Sequence, residues 1–141
     1  MGGVLAAWII PITEVEDTHQ TSGCINVVLA TGGAWRDCKV MHMKAVPDDQ
    51  LQMDSGGTLC NSTISIDSLI DESDSIQFRR YLAVGCLIKL ALSTGQNIVY
   101  GTKDYPMVGG IVRHVGENPA DSICWKITAS NGTFDGPLVL L

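Results

Sequence analysis

Asp67, Asp71, Glu72 and Asp74 place four carboxylates on one short stretch. Calcium takes several oxygen ligands from flexible loops of this kind. The stretch lacks the alternating Asp ladder, the glycine and the closing Glu of such a loop. It reads better as a solvated acidic connection or a helix start, where negative charge is favoured. Cys38 and His42 would share a strand face, but His19 and His114 lie far along the chain, so a mixed Cys/His metal site is short of ligands. The cysteines Cys24, Cys38, Cys60, Cys86 and Cys124 form no C-x-x-C pair, which removes zinc ribbons and thioredoxin-like sites. They read as free thiols of a reducing compartment, four of them among strand-like residues. Trp8, Trp35 and Trp125 would stack sugars or anchor a partner if exposed on one face; as core residues they need no ligand.

No G-x-S-x-G, H-E-x-x-H or phosphate-cradling glycine loop is present, so the reading is non-enzymatic, with no catalytic residue, metal or cofactor. Asn61-Ser62-Thr63 and Asn131-Gly132-Thr133 match the glycosylation pattern and read as turn or strand residues.

The elements that would position these groups are strands. Ile25, Val27 and Leu29 alternate; so do Ile64 and Ile66, and again Ile123, Trp125 and Ile127. From Phe78 to Leu92 the even positions are apolar except Arg80, which predicts a long strand, with a helix over the first half as the competing reading. Ser93-Thr94-Gly95-Gln96 predicts a tight turn into Ile98-Val99-Tyr100. Pro47-Asp48-Asp49 and Ser55-Gly56-Gly57 read as breaks, Gly109-Gly110 as a bulge or close backbone approach, and Ser130-Asn131-Gly132 as a hairpin turn. Turns recurring about every ten residues predict an all-β domain, an antiparallel β-sandwich or small β-barrel, with at most one short helix. Residues 1–15 are expected to form an extended arm or first strand, and residues 16–141 a single β-domain. The expected core is Ile25, Val27, Leu29, Ile64, Ile66, Val84, Ile88, Leu90, Ile123, Trp125 and Ile127.

With 141 residues the chain is long enough to bury a core, and 45% hydrophobic against 17% charged residues excludes disorder. A net charge of −6, with Arg79-Arg80 the only basic pair, argues against direct nucleic-acid binding. Val4 to Ile12 is apolar but lacks the flanks of a secretory leader and is interrupted by Pro11, so no membrane segment is expected. So little charge, with a mean hydropathy of +0.20, suits a surface that a partner covers.

Leu90-Ala91-Leu92-Ser93-Thr94-Gly95 and Tyr100-Gly101-Thr102-Lys103-Asp104-Tyr105-Pro106 resemble segments of small β-rich virion proteins of tailed bacteriophages. The resemblance implies a structural subunit of a head, neck or tail, assembled in the host cytoplasm and contacting copies of itself and neighbouring virion proteins. The candidate contact residues are Val4, Leu5, Trp8, Ile9, Ile10 and Ile12, with Leu138, Val139, Leu140 and Leu141. The competing expectation is a monomeric β-sandwich that binds carbohydrate or peptide through its aromatics; a small hydrolase is the third.

Overall fold

A computed structural model describes residues 4–21, 24–54, 57–114, 124–133 and 138–140. In chain order it contains β1 (Val4–Pro11), a 3-10 turn (Ile12–Glu14), β2 (Val15–Thr21), β3 (Cys24–Leu29), β4 (Arg36–Asp37), β5 (Val40–Asp54) and β6 (Gly57–Ser68). There follow α1 (Glu72–Val84), β7 (Cys86–Leu92), β8 (Asn97–Tyr100), β9 (Val108–His114), β10 (Cys124–Thr133) and β11 (Leu138–Leu140). The fold is all-β and sandwich-like with one helix. A seven-stranded sheet, β2-β3-β11-β8-β7-β1-β4, faces a four-stranded sheet, β5-β6-β10-β9, and neither is a closed barrel. All pairings are antiparallel except β3 with β11.

Ala7, Ile9, Ile88, Leu90 and Tyr100 of the large sheet pack against Ile64, Ile66, Ile111, Ile127 and Ala129 of the small one, with Phe78 and Leu82 of α1 in the same core. Successive strand residues point to opposite faces. Ile10, Leu87 and Val99, next door to Ile9, Ile88 and Tyr100, therefore face outward, and they too are buried, in a second core with Val15 and Ile25. Val15 and Ile25 belong to β2 and β3 of the same sheet, so the large sheet curls over its own outer face. Each fully buried large aliphatic contributes about 1.5–3 kcal/mol.

The helix corrects the long-strand expectation. Asp71 caps it, accepting from the Asp74 N–H at 2.8 Å and the Ser73 hydroxyl at 3.0 Å. Ser75, Phe78 and Leu82, one turn or two apart, make its buried stripe. Gly85 ends it at φ 126°, and its N–H donates to the Tyr81 carbonyl at 2.8 Å. A side chain at Gly85 would meet Pro106 at 2.9 Å. Val84, expected in the core, is the last helical residue and is 64% exposed.

Two punctuation readings also change. β5 runs through Pro47, and β10 runs through Asn131 and Gly132, which pair with Ser62 and Asn61. The polar run after Val15 is strand β2; its charged residues suit a sheet edge. The turn after Leu92 forms as expected, with the Leu92 N–H donating to the Gln96 carbonyl at 2.9 Å. Of the expected core, Ile25, Ile64, Ile66, Ile88, Leu90 and Ile127 are buried, and Val27, Leu29 and Trp125 are half-buried. Ile123 lies outside the described residues.

Residues 4–11 are a central strand of the large sheet, not a free arm. Val4, Ile9 and Ile10 are turned into the protein's own cores, which withdraws them as partner contacts.

Candidate interaction surface

Trp8 on β1 and Lys89 on β7 are cross-strand partners, and Trp35 arrives from the loop before β4. The Lys89 ammonium lies 4.6 Å from the Trp8 ring centre and 4.8 Å from that of Trp35. Burial pushes Lys89 below the ordinary lysine range. Two indole faces compensate the lost hydration, each contact being worth about 0.5–2 kcal/mol. The rings are thereby committed to an internal cation at the mouth of the second core. Trp125 likewise carries the Arg113 guanidinium, 5.9 Å from its ring centre.

Arg36 forms a two-pronged pair with Glu14, at 3.0 and 2.8 Å, and its guanidinium carbon lies 5.0 Å from the Tyr81 ring centre. The hydrogen bond from Arg36 holds the Glu14 carboxyl below its usual range. This cluster ties the 3-10 turn, β4 and α1 together.

The remaining chemistry-bearing groups have structural work. Cys38 and Cys86 are buried; burial raises both thiols, Cys86 to about 12, so they stay protonated and unreactive. Cys24 is half-buried. The structure places Cys38 in the core, away from any thiolate role, and the side chains of His42 and His114 lie outside the described residues. His19 is exposed beside Asp17, at 3.4 Å. In the acidic stretch, Asp71 is the helix cap, Asp74 lies 3.9 Å from the Lys39 ammonium, and Asp67 faces Lys126 across the β6–β10 ladder. Among the described residues no three His, Cys, Asp or Glu come together as a metal set. Both glycosylation-like triplets lie in paired strands, and the Asn131 amide donates to the Tyr105 carbonyl at 3.0 Å.

Of the remaining candidate contact residues, Leu5 is 60% exposed, Trp8 is held by Lys89, and Ile12 and Leu140 pack on the second core. Val139 is half-buried; Leu141 and the Leu138 side chain lie outside the described residues.

The open surface is on the small sheet. On β9, Val108 is 45% and Val112 68% exposed, and Gly109, Gly110 and Arg113 are exposed as well. Gly109 is the close approach expected from the sequence: a Cβ there would sit 1.9 Å from the Thr128 carbonyl oxygen. At the other margin, β5 has only β6 as a described ladder neighbour. β5 and β6 pair out to Asp54 and Gly57, while the last described β10 partner is Cys60 and β9 ends opposite Ser130, itself opposite Thr63. From Thr63 to Gly57 the hairpin thus outruns β9 by about 20 Å at the usual strand rise. Residues 52–54 and 57–59 form a two-stranded ribbon beyond the described β10 ladder. The sequence reading missed this surface because it took Pro47-Asp48-Asp49 as a break, whereas β5 runs through it to Asp54.

Compared with known proteins, the chain matches no family model, no curated protein and no solved structure.

Proposed function

We propose that this chain is a non-enzymatic structural subunit that acts by associating with copies of itself and with neighbouring proteins of a virion. The virion is of the tailed-phage kind that Leu90–Gly95 and Tyr100–Pro106 resemble. The observation that supports self-association is the β5–β6 hairpin, which runs beyond the described β10 ladder and whose β5 strand has β6 as its one ladder neighbour among the described residues. A bare two-stranded ribbon is marginally stable in water and gains from packing or pairing elsewhere. The low charge fraction and the exposed valines of β9 support the same reading. Against carbohydrate or peptide recognition by the aromatics, Trp8, Trp35 and Trp125 already hold cations of the protein itself.

Shortening the ribbon tests this. Gln50 and Asn61 are cross-strand partners four residues from the Asp54–Gly57 pair, so they share its hydrogen-bonding type. Replacing residues 51–60 with Asn-Gly therefore closes the hairpin with a tight turn. Sedimentation of the full chain is expected to show concentration-dependent assemblies, and the shortened chain is expected to remain monomeric with an unchanged circular dichroism spectrum. A full-length monomer at high concentration overturns the proposal.

A further inference from the structure

Helix α1 turns Ser75, Phe78 and Leu82 into the core, where it packs along β9 and β1. Its opposite side carries Glu72, Ile76, Arg80 and Ala83, at the four- and three-residue intervals that keep side chains on one helical face. All four are exposed, Ile76 at 52%; Val84, one turn after Arg80 on the flank of the same stripe, is exposed at 64%. The helix dipole favours acid at the start and base at the end. It gives no reason to leave two large aliphatics in water on a helix of 13 residues.

The charges of this stripe are not used inside the subunit. Among the described residues Glu72, Arg79 and Arg80 form no ion pair, and the neighbouring Asp74 is turned to Lys39. Ile76 stands midway between Glu72 and Arg80. Two such helices laid antiparallel about a two-fold axis at Ile76 therefore bring Ile76 onto its own copy and Glu72 of each against Arg80 of the other. Arg79 falls level with Ser73 across the axis. A parallel arrangement would set Glu72 against Glu72 and Arg80 against Arg80, and like charges repel.

Resting on the self-association proposed above, we infer that the outer face of α1 is a second contact between copies, an antiparallel helix pair across a two-fold axis. One patch meeting itself is the isologous geometry of a two-fold dimer. The occupant is another copy of this chain because the stripe is complementary in charge to its own reversal. A pair of helices about 20 Å long covers less than the roughly 1,200 Å² of a stable interface. The contact is therefore weak alone and acts beside the ribbon contact, which raises its effective concentration within an assembly.

The test reverses charges in the full chain. Glu72→Arg and Arg80→Glu each turn two attractions into two repulsions, and each is expected to raise the concentration for half-assembly about tenfold at low salt. Both substitutions in one chain restore assembly. An equimolar mixture of the two single variants does so too, because one then presents two arginines to the other's two glutamates. Oxidation with copper phenanthroline locates the axis: Ile76→Cys is expected to give a covalent dimer well above the wild-type background, and Ser73→Cys, away from the axis, is not. Circular dichroism checks that every variant folds. Should Glu72→Arg loosen the helix start, Arg80→Glu and the cross-link carry the test.

Assembly unmoved by either reversal, with no cross-link at position 76, overturns the helix pair and leaves the ribbon reading standing. Reversals that weaken assembly without rescue by the double variant or the mixture assign the stripe to a different partner surface, and the antiparallel pair falls. A wild-type chain that stays monomeric ends both readings together.

Discussion

The two sheets solve the burial problem differently. In the large sheet, β1, β7 and β8 are covered on both faces: Ile9 and Ile10, Ile88 and Leu87, Tyr100 and Val99 all lie in one core or the other. Its margins are also managed. β4 is two residues long, and β2 is overlaid by the loop after β8, where the Lys103 N–H donates to the Thr18 hydroxyl at 3.3 Å and the Lys103 ammonium bonds the Glu16 carbonyl. The small sheet buries one face, with Ile64, Ile66, Ile111 and Ile127 inward and Val112, Lys126 and Thr128 outward, and its margins are long strands. Burial on both faces thus marks the first sheet, and one exposed face marks the second.

Truncations give the widest contrast. Ile9→Ala and Leu87→Ala, on opposite faces of the large sheet, are each expected to cost about 2–5 kcal/mol in urea unfolding. On the small sheet only the inner face should respond this way: Ile127→Ala costs as much, while Val112→Ala stays within about 0.5 kcal/mol. An equally costly Val112→Ala would mean that the outer face is covered in the isolated chain. Adjacent glycines sharpen the contrast at smaller scale. Gly109→Ala drives a Cβ into the Thr128 carbonyl and is expected to cost about 1–3 kcal/mol, whereas Gly110→Ala meets nothing within 4 Å and should be near neutral.

Smallest is the Glu14–Arg36 pair, which secures the turn between β1 and β2. Glu14→Gln is expected to cost about 1 kcal/mol near neutral pH, the upper end for a partly exposed pair. Because the folded protein lowers the Glu14 pKa, its stabilisation is complete above the ordinary value of 4.5 and fades as pH falls through the lowered one. The gap between wild type and variant in thermal melts should therefore close as pH falls below 4.5.

Much of the architecture was legible in the sequence because half-buried strands leave a period of two. Ile64 with Ile66 and the turn at Ser93–Gln96 came directly from that signal. The helix was masked because Phe78 and Leu82, with Cys86, Ile88 and Leu90, satisfy alternation and helical spacing together. The distinguishing residues were Asp71, three before Asp74, and Gly85, which separates two elements that pattern alone had fused. Double burial of β1 and β7 was visible as apolarity running through Ala6–Pro11 and through Cys86–Leu92 apart from Lys89, a pattern that alternation counting passes over. The edges of the small sheet were illegible for a different reason: an edge strand and an inner strand share a composition, and only the ladder order tells which strands have a single neighbour among the described residues.

β11 lies between β3 and β8, joining residues 24–25 to residues 98–99 through a segment that a ribosome makes after both. A growing chain must therefore hold a slot in its larger sheet until Leu138–Leu140 emerge, so the β2–β3 hairpin locks in late during synthesis. The small sheet needs nothing beyond Thr133 for its described ladders, so its pairing does not depend on β11.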